Sequence, residues 1–373
     1  MTAEHFDSLL REALARAPGA AWVHSRMALL GWGESSRFDP GTGADRFERA
    51  MRGLRSSGAP AAMASFTFDE DDGGSIVLVP EVLMRIDENG ARFLIGSNDD
   101  LPAPRAPVDL PTGNLVEDGP EEWVSLVREA LTAIGSREVE KVVLSRRVIA
   151  RFEGEVPVHV VLARLARSEP GSHTFLIDRF VGSSPELLVS LAAGTVRSIS
   201  LAGSADLEDP AAAASFDTQK MIREHALAAD SVDEALAHFC SNLERSETRI
   251  ATYGDIQHLA TSFEGRAHPG TEIPDLLDGL HPTAAVAGTP TKSALEVIRE
   301  LEGHDRGRYA GPVGWFDRAG DGEFAIALRC GTVHGRTATL YTGAGILQGS
   351  DAGLEFEETR LKLRPMLGAL GLN

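Results

Sequence analysis

Three charged residues sit in settings that could do chemistry. Lys141 opens the run "KVVLSRR", where strand alternation puts Lys141, Val143 and Ser145 on one face. A lysine at a strand start is either solvated or, if buried, a candidate base. The second role requires burial or nearby positive charge to destabilise its ammonium. Glu186 lies in "SPELLVS", just before Leu187 and Leu188. It either points outward or is buried, keeps its proton and serves as a general acid. Arg329 ends "EFAIALR". Alternation predicts one strand with Phe324, Ile326, Leu328 and Cys330 on one face, and Glu323, Ala325, Ala327 and Arg329 on the other. The small alanines leave room. The arginine either pairs with an acid on an exposed face or grips a carboxylate through two parallel hydrogen bonds.

Acidic residues form a second group. Glu224 lies in "REH", and Glu355 and Glu358 lie in "LEFEET". The last two are three apart and share a helical face. Such clusters are either solvated faces or carboxylates for a cation. Single carboxylates from separate helices, completed by water and a ligand oxygen, suit Mg2+ better than a Ca2+ cage. Gly343 and Gly345 in "LYTGAGIL" allow backbone N–H groups close to an anion. The stretch "LHPTAAVAGTPTK", residues 280–292, is too small-residued for a core strand and too apolar for a simple solvent loop. It leads into a helix whose free N–H groups suit a carboxylate. Unaided, these residues point to a magnesium-dependent enzyme acting on a small carboxylated substrate.

Elements must position these groups. "AMASFTF", "SIVLVPEVLMRI", "KVVLSRRVIARF", "TFLIDRF" and "ELLVSLAAG" each read as a strand. "GEFAIALRCGTVHGRTATLYTGAGIL" reads as two antiparallel strands turning at His334-Gly335. Helical spacing marks "PEEWVSLVREALTAIG", "DTQKMIREHALAADSVDEALAHFCSNL" and "KSALEVIRELEG", the last with Ser293 and Glu296 at capping-box spacing. "LEFEETRLKLRPML" reads as a closing helix interrupted near Pro365. Grouped strands with helices between and after them predict an α+β fold. The net charge of −19 argues against nucleic acid or an anionic membrane as partner. Two cysteines without a CxxC pair suit a reducing cytoplasm. The N-terminus does not read as a signal peptide, and no stretch is apolar enough to span a membrane.

Taken in order, "KVVLSR", "SPELL", "KMIREH", "QHLATSFEG", "LHPTAAVAGTP", "RGRYAGPVGW", "GEFAIALRC", "TGAGI" and "EFEETRLK" resemble the chorismate-utilising enzymes, and within them the isochorismate-forming branch. The resemblance runs from about residue 138 to 363 and is looser before 115. It implies one domain over residues 1–373, with the motif-bearing catalytic part at 120–363. It also implies the family's sandwich of two antiparallel sheets with helices outside.

By resemblance, Lys141 is the base that activates water for attack at C2 of chorismate. Glu186 is the acid that protonates the departing C4 hydroxyl. Glu224 and Glu358, with Glu355 close by, hold Mg2+. Tyr309 and Arg329 clamp the enolpyruvyl carboxylate, Gly343 offers a backbone donor, and Lys362 contacts the ring carboxylate. Gly203, Ser204 and His258 line the pocket. The chain departs from the family after Ser204, in "ADLEDP", and at Met221, where an acid is common. Ammonia-using relatives tend to read "FPxGxxxG" where this chain has His281-Pro282-Thr283. Water is therefore the expected nucleophile, and no glutaminase subunit is expected. Ala285 stands where salicylate-forming relatives carry threonine, which favours release of isochorismate. The resemblance implies a cytoplasmic monomer serving menaquinone or siderophore synthesis. Three other readings remain: a salicylate synthase, an aminodeoxychorismate or anthranilate synthase component I, and a non-catalytic chorismate-binding regulator. Lys141 and Glu186 together count against the last.

Overall fold

The computed structural model describes residues 2–25, 27–117, 119–136, 139–208, 216 and 218–372. The start of the predicted helix at Asp217, and Asp209-Pro210 of the altered segment, lie outside these. Two large antiparallel sheets dominate, with helices around them. The first runs Gly288–Thr289, Lys141–Phe152, Thr337–Leu347, Cys330–His334, Phe180–Ser184, His173–Ile177, Ala20–His24, Met27–Trp32, Val82–Asp87, Gly90–Ile95. The second runs Cys240–Arg245, Ile256–Ala267, Thr195–Asp206, Leu187–Ala192, Gly322–Ile326, Pro312–Asp317, Ala61–Ser65, Ile76–Val79, Ser36–Phe38. The α+β expectation holds, and residues before 115 supply strands to both sheets.

Alternation explains the layering. In Ala20–His24, Ala20 and Trp22 join an apolar cluster shared with Met63 and Phe324 of the second sheet. Ala21 and Val23 join a second cluster, with Phe6, Leu162 and Met366 of three helices. The first sheet is thus buried on both faces, one against the second sheet and one against helices.

Several predicted elements change on folding. "EFAIALRC" is not one strand. Its strand stops at Ile326 in the second sheet, and Cys330 starts a strand of the first. Arg329 adopts φ 48°, which no continuous strand tolerates. "SIVLVPEVLMRI" also changes sheets, at Pro80-Glu81, because proline cannot donate to a ladder. "TFLIDRF" is a hairpin turning at Asp178 (φ 49°) and Arg179 (φ 62°), the positive dihedrals that a two-residue turn needs. The helix carrying Glu224 stops at Leu236, and Cys240–Arg245 is a strand. The helix after residue 290 begins at Thr291 with Pro290 as its N-cap, so Ser293 and Glu296 form no capping box. The last helix runs unbroken from Ala352 to Leu370. Leu361, Leu363, Met366 and Ala369 are buried on either side of Pro365, and this packing outweighs the missing N–H.

Two further crossings position chemistry. The chain leaves the first sheet at Ser184 and enters the second at Leu187, so Glu186 sits on the step between them. Arg329 sits on the return step. The steps are tied side by side: Ile326 N–H donates to the Glu186 carbonyl at 3.1 Å, and Ser183 N–H to the Arg329 carbonyl at 3.1 Å.

Gly288 (φ 138°) pairs beside Val142, and a Cβ there would lie 2.1 Å from the Lys141 carbonyl oxygen. Gly288→Ala should therefore destabilise the fold by about 3 kcal/mol or more. Gly135→Ala, where nothing lies within 4 Å, should be neutral or stabilising by up to ~1 kcal/mol. Chemical denaturation of the two variants checks the contrast.

Candidate active site

A cavity opens between the elements that carry the singled-out residues. Glu186, Gly203, Ser204, Glu224, His258, Ala285, Tyr309, Arg329, Gly343 and Lys362 all line it. Lys141, Glu355 and Glu358 are not part of this lining; Lys141 reaches it through its ion pair with Glu224 and Glu358 through its ion pair with Lys362, whereas Glu355 pairs with Lys220, which does not line it. Lys141 is 1% exposed, which settles its placement in favour of burial. Its Nζ lies 3.3 Å from Glu224 Oε1.

Glu186 is buried, and its Oε1 accepts from Leu201 N–H at 3.3 Å. Burial pushes its pKa up to about 7. That hydrogen bond and the charges of Lys141, Lys362 and Arg329 oppose the rise without cancelling it. The carboxyl therefore keeps its proton close to neutrality, as a general acid must.

Arg329 and His258 fix one another. Arg329 Nη2 donates to His258 Nε2 at 3.1 Å. A guanidinium only donates, so Nε2 carries the lone pair and Nδ1 the proton. Nδ1–H donates to the Gly203 carbonyl at 2.9 Å and lies 3.3 Å from Ser204 Oγ. Burial and the neighbouring Arg329 hold the His258 pKa well below its usual range, so the ring stays neutral. Arg329 is thereby aimed by a neutral partner and keeps its charge for an anion in the cavity. Tyr309 stacks on Tyr341 with ring centroids 5.3 Å apart. A Cβ at residue 343 would lie 3.1 Å from the Tyr309 hydroxyl, so glycine there leaves that hydroxyl room. Gly343 also uses its carbonyl, which accepts from Lys362 Nζ at 3.0 Å.

Each acid of the second group has a lysine: Lys141 for Glu224, Lys220 for Glu355, and Lys362 for Glu358 at 2.6 Å. Burial, then Glu358, push Glu355 up to about 7, with Lys220 opposing. The donors of this corner are the hard carboxylate oxygens that Mg2+ takes. Glu224, Glu355 and Glu358 do not form a preassembled triad with ligand atoms all within 4.8 Å; among the described residues only one such triad exists, and it lies elsewhere. Mg2+ needs no such cage, since it keeps several waters and takes one or two carboxylates. The residues present fit the ion. Met221 packs with Ala205, Phe216 and Leu259.

Sequence reasoning missed the frame behind the cavity. Arg306 is buried, donates to the carbonyls of Val286 (2.9 Å) and Val143 (2.7 Å), and pairs with Glu302. Glu302 in turn accepts from the Ser145 N–H at 2.7 Å and its hydroxyl at 2.9 Å. This network holds the loop bearing Ala285 against the strand bearing Lys141. Lys220 was also missed, although it stands one helical turn before Glu224. The loop at 280–292 contributes only Ala285 and Val286 to the lining; the helix start at Thr291 does not reach it. His281 is structural, with Nε2 2.9 Å from the Phe68 carbonyl oxygen.

The chain matches the chorismate binding enzyme family over residues 81–371. It is 36% identical over 262 residues to isochorismate synthase MenF of Bacillus subtilis, a match covering 67% of this chain and 56% of that protein. It is 34% identical over 347 residues to a putative isochorismate synthase MenF of Mycobacterium tuberculosis, covering 87% of this chain and 90% of that one. The crystal structure of a putative 2,3-dihydroxybenzoate-specific isochorismate synthase, DhbC, from Bacillus anthracis superposes with a TM-score of 0.85 at 28% identity. That superposition covers 98% of this chain and 100% of the other. A buried acid, a buried lysine and an aimed arginine around one cavity, on this fold and with these relatives, place the chain in the chorismate binding enzyme family.

Proposed function

We propose that this chain is an isochorismate synthase, converting chorismate to isochorismate with Mg2+ and without a partner subunit. The observation that carries this reading is Glu186, a carboxyl on the cavity wall that holds its proton near neutrality. Attack of water at C2 forms a C–O bond, the ring double bonds shift, and the C4–O bond breaks. Lys141, as the free amine that a Mg2+ charge at Glu224 would favour over the ammonium, takes the proton of the attacking water. Glu186 gives its proton to the leaving hydroxyl, which departs as water. Arg329 and Tyr309 hold the enolpyruvyl carboxylate, and Lys362 faces the ring carboxylate. Glu224 and Glu358, with Glu355, hold Mg2+, which supplies charge to anchor that ring carboxylate. Ala285 keeps the wall free of a hydroxyl beside the ring. The names of the relatives support the same product.

Purified chain with chorismate and Mg2+ alone should yield isochorismate, separated chromatographically. A requirement for glutamine, or an aminated product, would overturn the reading.

Lys141→Ala and Glu186→Gln should each lower kcat by about 10²–10⁴-fold. Glu186→Gln carries a second signature. The folded protein binds the Glu186 proton more tightly than the unfolded chain, so the parent loses stability as pH rises from 4.5 through about 7. The full loss is about 3 kcal/mol. Glutamine cannot ionise and keeps the acceptor for Leu201 N–H. The variant's melting temperature should therefore meet or exceed the parent's at pH 8, and the advantage should shrink at pH 5.

Activity measured against Mg2+ concentration should shift to higher metal for Glu224→Gln and Glu358→Gln. Superimposable curves for both variants and the parent would reduce these acids to a charged face.

A further inference from the structure

We propose that His24, His173 and Glu323 form a second metal site, separate from the cavity, for a divalent transition-metal ion of the zinc class. These residues offer ligand atoms that all lie within 4.8 Å of one another, a grouping found only once among the described residues. None of them lines the cavity described above. His24 and His173 lie on neighbouring strands of the first sheet, and Glu323 reaches over from the second.

The two imidazoles stack with centroids 3.8 Å apart. His24 Nδ1 lies 3.8 Å from Glu323 Oε1. His173 is 2% exposed, and its Nε2 has no hydrogen-bond partner. A buried nitrogen left bare is costly unless something takes its lone pair.

The groups behind the three residues are those that orient metal ligands. His173 Nδ1 lies 3.3 Å from the Ser184 carbonyl oxygen, which only accepts. The proton therefore sits on Nδ1, and Nε2 is free to bind. His24 Nε2 contacts Ser25 Oγ at 3.2 Å, leaving Nδ1 toward Glu323. Trp22 Nε1–H donates to Glu323 Oε1 at 2.8 Å and holds the carboxylate in place. A carbonyl, a hydroxyl and an indole thus support one ligand each.

Donor type sets the ion. Two imidazoles and one carboxylate suit zinc and its neighbours, whereas Mg2+ prefers oxygen alone. Three protein ligands leave a fourth position for water. The His24 and Glu323 side chains are 28% and 20% exposed, which gives the ion a way in. Bound there, it would clamp the two sheets together beside Ser184, where the step carrying Glu186 begins.

The test uses the 373-residue chain freed of metal with a chelator, then titrated with Zn2+ or Co2+ in excess Mg2+. One equivalent should bind, raise the melting temperature, and with Co2+ give the visible absorption of a low-coordinate nitrogen-ligated ion. His24→Ala and Glu323→Gln change partly exposed groups, and Gln keeps an acceptor for Trp22. Each should weaken Zn2+ binding by at least ~100-fold, since losing even a supporting group costs ~10–100-fold. Circular dichroism should stay unchanged, and Glu358→Gln should titrate like the parent. Absence of Zn2+ binding, or equal binding in His24→Ala and the parent, would overturn the proposal. The readout is metal binding, so it stands or falls independently of the isochorismate assay.

Discussion

Lys141 Nζ and Glu224 Oε1 are buried against each other at 3.3 Å, two groups that would each be costly to bury charged and alone. Removing one partner from such a buried pair leaves an uncompensated charge at a cost of about 3–5 kcal/mol. Lys141 belongs to the first sheet, while the helix of Glu224 packs on the strand Thr195–Asp206 of the second. The pair therefore bonds the two halves of the sandwich at the floor of the cavity. Residue 345, which has no side chain, leaves it room. A Cβ there would lie 2.3 Å from Glu224 Oε1 and 2.9 Å from Lys141 Cε. One glycine in a long strand thus leaves space for a lysine and an acid to meet.

The charge of the whole chain and the charge of the cavity are different quantities. A net charge of −19 keeps the surface acidic, yet Arg329 and Lys362 stand on the cavity wall. What permits this is selective neutrality. His258 is neutral because burial and Arg329 disfavour its charged form, and Glu186 keeps its proton because burial disfavours the carboxylate. Inside a low-dielectric wall neither of these two uncharged groups cancels Arg329, so an anionic substrate meets its positive charge.

The groups assigned to acid catalysis and anion binding stand where the chain changes sheets. The steps at Ser184–Leu187 and Ile326–Cys330 run side by side and hydrogen-bond to each other. A residue within a strand faces one layer or the other. A residue on a step faces the gap between layers, which is where a small molecule fits. The same architecture brings His24 and His173 of one sheet against Glu323 of the other.

Local periodicity by itself determined the long strand of Lys141, the strand-and-turn around His334-Gly335 and the shared face of Glu355 and Glu358. The ordered motifs added the family and the cast of cavity residues. Periodicity failed at "EFAIALRC", where alternation reads smoothly through Arg329 although the chain leaves one sheet for the other. Strand pairing makes that choice, through partners far away in sequence: Phe324 beside Val189, and Cys330 beside Tyr341. The tertiary structure alone also decided whether Lys141 and Glu186 were solvated or buried. It alone gave Glu224, Glu355 and Glu358 each a lysine, and it alone joined Arg306 to the carbonyls behind the cavity. Burial and ion pairing are properties of what surrounds a side chain, and a sequence window of one helix or strand contains only the residues beside it along the chain.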